Sequence, residues 1–273
     1  MSSGEVLFKS FSSGSCGNCY LLAIREEGAV KDAILIDAGV SMRTIRRELS
    51  SNGIPLEALK CVLVTHDHLD HIRSLGSYAK RLKLPVWASE TLHKALSTHP
   101  MTRDYVPSCR KVLAEGEWND IVADKISVRY FVVPHDATQT VGFAIRIGGI
   151  EYVHITDCGA LTDEAMSFLK KADSIVIESN YDDEMLDKGS YPEELKSRIR
   201  GGNGHLSNAE CAQAIKEFKH EGLRAIFLCH LSENNNTPKL AYRSAVEALG
   251  EIEGRPPRLE SLPRRTPSKL TIL

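Results

Sequence analysis

Short apolar runs recur along the chain, and stretches between several of them return apolar residues every three or four positions. EVLFKSF, CYLLAI, AILIDAG, CVLVTH, LPVWAS, YFVVPH, VGFAIRI, EYVHITD, SIVIESN and AIFLCH read as strands. SMRTIRRELSSN, stopped by Asn52-Gly53, then IRSLGSYAKRL, TDEAMSFLKKA and SNAECAQAIKEFKHEG read as amphipathic helices. The last has Ser207 as N-cap, Glu210 three positions later for a capping box, and Gly222 as its stop. This alternation implies mixed α and β structure with sheets covered by helices. No fixed repeat and no low-complexity linker interrupts it, so residues 1–273 read as a single domain. The tail from Gly254 is rich in Pro and Arg and ends in SKLTIL, a candidate final strand.

The places where the apolar runs stop carry the chemistry. They stop at Asp37, His66, His135, Asp157 and His230, each at the expected C-terminal end of a buried strand. Loops at such ends are where open sheets assemble their sites. The densest group is VTHDHLDHIRSLG, with His66, His68, Asp70 and His71 in one turn between a strand and a helix. Imidazole and carboxylate donors with few thiolates suit zinc, manganese or iron in a catalytic site. His93, His99 and His220 fall in helical or loop stretches and His154 lies inside a strand, so none joins the set.

Those residues also carry a resemblance. THDHLDH, with Asp37 upstream and His135, Asp157 and His230 downstream, resembles the signature of the metallo-β-lactamase-fold hydrolases. The opening S-G-S-x-G-N, ESNYD at 178–182, YPEELKSRI and GHLSN at 204–208 are similar to the bacterial YycJ (WalJ) group. The resemblance implies an α+β fold, the four-layer αββα sandwich, and a 5'-to-3' DNA exonuclease working with two divalent ions, zinc or manganese. It makes His66, His68 and His135 ligands of one ion, Asp70, His71 and His230 ligands of the second, and Asp157 the bridge. Asp37 would orient a ligand or the nucleophilic water. A hydroxide held between the ions would attack the phosphodiester in line. His205 has no place among those ligands and becomes the candidate to touch the scissile phosphate or act as general acid, with Glu178 as its partner.

Composition narrows the partners without fixing them. The formal net charge of -2 gives no global basic field, so nucleic acid must be held by local patches or by metal. Candidate patches are Arg43, Arg46 and Arg47, then Lys196, Arg198 and Arg200 before GHLSN, and Arg264, Arg265 and Lys269 in the tail. The N-terminal MSSGEVLFKSF has no signal-peptide pattern and no run approaches the roughly 20 apolar residues of a membrane span, so the expectation is a soluble cytoplasmic protein with no membrane partner. Seven cysteines in largely apolar surroundings read as reduced thiols. In SSGSCGNCYLL the Cys16-x-x-Cys19 pair lacks a second pair at zinc-ribbon spacing. That stretch reads instead as a glycine-containing hairpin, and two roles stay open for it: an anion nest made by its N–H groups with Ser13, Ser15 and Asn18, or a turn with no ligand role; Ser207 and Asn208 join the phosphate-binding set. Two alternatives stay open: a hydrolase of small lactones, thioesters or phosphodiesters on the same metal set, and a non-enzymatic metal-binding regulator.

Overall fold

A computed structural model describes residues 4–251 and 255–273; Gly254, where the Pro- and Arg-rich tail starts, and residues 1–3 of MSSGEVLFKSF lie outside them. The strands are β1 (Glu5–Ser12), β2 (Cys19–Glu26), β3 (Ala29–Ile36), β4 (Leu59–Leu63), β5 (Val86–Ala88), β6 (Arg110–Val112) and β7 (Asn119–Val122). They continue as β8 (Ile126–Val133), β9 (Thr140–Ile147), β10 (Ile150–Ile155), β11 (Ser174–Glu178), β12 (Ala225–Cys229), β13 (Arg258–Ser261) and β14 (Thr271–Ile272). The helices are α1 (Met42–Ser51), α2 (Leu69–Ile72), α3 (Leu75–Leu82), α4 (Glu90–Thr98), α5 (Asp163–Leu169), α6 (Asp183–Lys188), α7 (Glu193–Arg200), α8 (Asn208–Phe218) and α9 (Pro238–Leu249).

Two seven-stranded sheets form, in the orders β14-β1-β2-β3-β4-β5-β6 and β13-β12-β11-β10-β9-β8-β7. Strand alternation divides their side chains between two cores. In β12, Phe227 and Cys229 point into the space between the sheets, while Ile226 and Leu228 pack outward with Ile215 and Phe218 of α8 and Ala241 and Ala245 of α9. Phe227 meets Phe8 of the opposite sheet with ring centroids 4.4 Å apart. Across the other sheet, Ile45, Leu49, Tyr78 and Leu92 from α1, α3 and α4 share the first core. The layers are therefore α, β, β, α. Buried on both faces, β11 and β12 have every residue covered, which is why SIVIE and AIFLC read as unbroken apolar runs.

Some details differ from the sequence reading. α8 has the capping box at Ser207 and Glu210 but ends at Phe218, short of Gly222. Lys219 leaves the helix there and its Nζ donates to the carbonyls of Ala248 (3.2 Å) and Leu249 (2.7 Å) at the end of α9. IRSLGSYAKRL contains a break: Ser74 N–H donates to the Ala38 carbonyl at 2.9 Å, so α2 stops and α3 starts after it. SKLTIL does return as β14, pairing with β1.

Phe227→Ala should open a cavity between the sheets and cost about 3–5 kcal/mol, a large share of a typical domain's stability. Urea unfolding of both proteins measures it as a lowered midpoint.

Candidate metal centre

The strands β3, β4, β8, β10 and β12 deliver their last residues to one edge of the sandwich. Asp37, Asp157 and His230 follow β3, β10 and β12 with φ of 60°, 40° and 51°. Among side-chain-bearing residues this left-handed region is best tolerated by Asn, Asp and His. The strand-end turns thus use the residue types that the chemistry also needs. α2 then places Asp70 and His71 over the same edge, and Gly39 lets that turn close: a Cβ there would sit 1.6 Å from the Asp70 carbonyl oxygen.

Three donor groups result among the described residues; one joins Asp157, Glu178, His205 and His230, and the other two carry the expected ligands. In one, ligand atoms of His66, His68, His135 and Asp157 lie within 4.8 Å of one another; in the other, those of Asp70, His71 and His230 do. Asp157 stands between them. Its Oδ2 is 3.9 Å from His66 Nε2 and 3.7 Å from His135 Nε2, while its Oδ1 is 3.3 Å from His71 Nε2 and 3.4 Å from His230 Nδ1. Asp70 Oδ2 lies 3.5 Å from His71 Nε2 and 3.6 Å from His230 Nε2. Donors about 2.0–2.2 Å from a tetrahedral cation stand about 3.3–3.6 Å from each other, so the second group already has the spacing of a shared coordination sphere. The Nε2 atoms of His66, His135 and His230 are buried without any hydrogen-bond partner. Buried orphans of this kind are costly, and a cation satisfies them. The residues present fit divalent ions.

The rings are fixed from behind. His71 Nδ1 donates to Asp37 Oδ2 at 2.7 Å, and Asp37 also accepts from Thr65 Oγ1 (2.8 Å) and the Thr65 N–H (2.9 Å). His135 Nδ1 donates to the Gly204 carbonyl at 2.7 Å. Glu178 accepts from Nδ1 of His205 (2.8 Å) and Nδ1 of His230 (2.9 Å) on one oxygen, and from the N–H groups of Cys158 (2.8 Å) and Leu206 (3.2 Å) on the other. Each bond at Nδ1 leaves Nε2 facing the donor groups. Asp37 and Glu178 thus sit behind the rings, with no exposed surface.

Electrostatics follow burial and charge. Burial, helped by His71, holds His66 well below the usual imidazole range, and burial also lowers His135; both shifts favour the unprotonated ring that a cation needs. Burial works against the charge on Glu178, yet His205 beside it outweighs that and brings the carboxyl down to about 2. Burial likewise opposes a proton on His205, but the Glu178 carboxylate prevails and its pKa rises.

Of the residues expected to meet phosphate, Ser15 and His205 line the cleft beside this centre. The side chains of Ser13, Asn18, Ser207 and Asn208, expected to join them, are buried and already bonded within the protein. Ser13 Oγ is bonded to the Tyr20 hydroxyl (2.9 Å) and accepts from the His230 N–H (2.9 Å). Asn18 donates to Asp70 Oδ2 (3.0 Å) and accepts from the Gly14 N–H (2.9 Å). Ser207 caps α8, and Asn208 is tied to Ser179 (2.6 Å) and Asn236 (3.0 Å). The SSGSCGN hairpin is therefore a wall of the centre. All seven cysteines are free thiols; Cys16 is exposed and Cys19 buried.

Among the basic patches, only Arg198 and no other member of its trio lines the cleft: Lys196 is buried against the Asp187 carbonyl and Arg200 pairs with Asp187. Arg43, Arg46 and Arg47 are exposed on α1, outside the cleft lining. Arg264 is a clamp. Its guanidinium donates to the carbonyls of Leu231 (3.0 Å) and Asn236 (2.7 Å), and its own carbonyl accepts from Ser12 Oγ (2.6 Å) and the Ser13 N–H (3.3 Å). It thereby joins the hairpin to the loop that begins at His230. Sequence reasoning missed this, as it missed Thr65; neither has a pattern that distinguishes it from surface or strand residues.

Residues 32–230 match the family described as Beta-lactamase superfamily domain. Exodeoxyribonuclease YycJ of Bacillus anthracis is 32% identical over 248 residues, 89% of each chain. Exodeoxyribonuclease WalJ of Streptococcus pneumoniae serotype 2 is 31% identical over 251 residues, 91% of each. The zinc-bound crystal structure of PqqB from Methylobacterium extorquens shares the fold, with a TM-score of 0.67, 20% identity and coverage of 96% of this chain and 99% of that one. No helix among the described residues is long and apolar enough to cross a membrane.

Asp37→Asn keeps the side chain's shape and its tolerance of positive φ but removes the carboxylate behind His71. Zinc titration of the metal-stripped protein should show affinity lowered about 10–100-fold at one equivalent.

Proposed function

The chain belongs to the beta-lactamase superfamily and is a metal-dependent hydrolase, and from that premise we propose that it is a dinuclear phosphodiesterase that degrades DNA from the 5' end. The observation that carries this reading is the placement of Asp157 between two donor groups, with a cleft of about 270 Å³ open beside them. The names of the two exodeoxyribonucleases similar over about nine-tenths of the chain support DNA as the substrate.

Two divalent ions bound there, zinc or manganese, would lower the pKa of a water held between them and neutralise phosphate oxygens. His66, His68 and His135 would hold one, Asp70, His71 and His230 the other, and Asp157 would bridge. The chain's own residues do the rest. Asp37 and Glu178 keep His71 and His230 in the tautomer that presents Nε2. His205, fixed through Nδ1 by Glu178, presents its Nε2 to the leaving oxygen and gives it a proton, so no alkoxide is expelled unprotonated. Arg198 and Ser15 line the path of the strand, where a guanidinium is suited to a phosphate in two-pronged contact.

The test is degradation of 5'-labelled and 3'-labelled single- and double-stranded DNA by metal-stripped protein resupplied with manganese or zinc. Cleavage should require metal, disappear in Asp70→Ala and fall about 10²–10⁴-fold in kcat in His205→Ala, with the label pattern giving the direction. Protein containing two ions that cleaves none of these substrates would instead indicate a hydrolase of small esters or phosphodiesters.

A further inference from the structure

Asp136 follows His135 directly and lies outside the donor set assigned above. Its Oδ1 is 3.4 Å from His135 Nε2 and 3.9 Å from His68 Nε2. These separations match or better those of the bridging Asp157, whose Oδ2 stands 3.7 Å from His135 Nε2 and 3.9 Å from His66 Nε2. Measured from those two nitrogens, Asp136 stands beside that half, just outside the group whose ligand atoms all lie within 4.8 Å of one another, with its main-chain carbonyl oxygen also 3.3 Å from His68 Nε2. Its other oxygen, Oδ2, is paired with the guanidinium of Arg198 from α7. The carboxylate is about a quarter exposed and lines the same cleft as Arg198 and His205.

Charge gives a reason for it. The half built on Asp70, His71 and His230 has a carboxylate of its own besides the shared Asp157, whereas the half built on His66, His68 and His135 has none. Three imidazole ligands and a shared carboxylate bring less negative charge to a dication than the opposite half does. We propose that Asp136 is an additional carboxylate donor to the ion held by His66, His68 and His135, with Oδ1 turned to the ion and Oδ2 restrained by Arg198. Arg198 then has two calls on its guanidinium, because a substrate phosphate in the cleft competes with Asp136 for the same donors. The carboxylate is fully available to the ion when that phosphate draws Arg198 away.

The inference rests on the dinuclear centre but not on DNA being the substrate, so it is tested with metal alone. Calorimetric titration of the metal-stripped full chain with zinc compares wild type, Asp136→Ala, the isosteric Asp136→Asn, and Arg198→Ala. Wild type should take up two equivalents. Both Asp136 variants should weaken one of them about tenfold or more and leave the other within twofold. Arg198→Ala should bind both at least as tightly as wild type, since it releases Oδ2. Two unaltered equivalents in Asp136→Ala and Asp136→Asn would overturn the inference alone, as would Arg198→Ala weakening the same equivalent as much as the Asp136 variants do, because the pair would then act only by bracing the loop. Fewer than two equivalents in wild type would overturn the dinuclear reading beneath it.

Discussion

Asp37, Asp157 and Glu178 place three carboxylates at the joint of the two sheets with at most 2% of their surface exposed. Charge in such a place survives only if it is paired, hydrogen-bonded or neutralised by a cation. The surrounding structure can be understood as the means of meeting that condition. Histidines from both sheets close around the carboxylates, backbone N–H groups of Thr65, Cys158 and Leu206 point at their oxygens, and a bound cation would complete the compensation. The left-handed turns at Asp37, Asp157 and His230 cost on the order of 1–2 kcal/mol each, and the surrounding bonds have to hold them in place.

Both donor groups draw on both sheets. His66, His68, Asp70 and His71 come from the β4–α2 connection, while His135, Asp157 and His230 come from the ends of β8, β10 and β12 in the other sheet. A bound ion therefore fastens one sheet to the other at an edge where neither Phe8 nor Phe227 reaches. Its binding energy is in part energy of folding. The interface and the chemistry depend on each other: a shift between the sheets would separate the ligand atoms of each group at once.

The sequence revealed the strands that are buried on both faces, because SIVIE and AIFLC cannot be mistaken for exposed loops, and it revealed that polar residues stop them at one edge. It concealed β6 and β7, whose residues are exposed or half-buried and whose identity comes only from pairing with a neighbour. α4 and α9 were hidden by an apolar stripe too thin to stand out. At the site, the H-x-H-x-D-H group was legible because so many imidazoles after an apolar strand have little other use. The support behind it was not. Ser13 and Asn18 look like phosphate contacts in a glycine-rich turn, and only the fold turns them inward to His230 and Asp70. Asp136 has the identity of any surface acid; its distance to His135 and His68 depends on how two loops from different sheets meet.

The Arg264 clamp ties the centre to the direction in which the chain is made. Synthesis delivers the N-terminal residues first, at about 5–20 residues per second, so the hairpin, the H-x-H-x-D-H turn and His230 are all in place a few seconds before Arg264. Until it arrives, the loop from Leu231 to Asn236 lacks the guanidinium that satisfies two of its carbonyls, and the bond from the His230 N–H to Ser13 Oγ joins this segment to the hairpin without the Arg264 carbonyl that Ser12 and Ser13 also use. The fastening of the ion-binding edge thus includes a residue from the last tenth of the chain, so loss of the tail would take away bonds that the loop and the hairpin share.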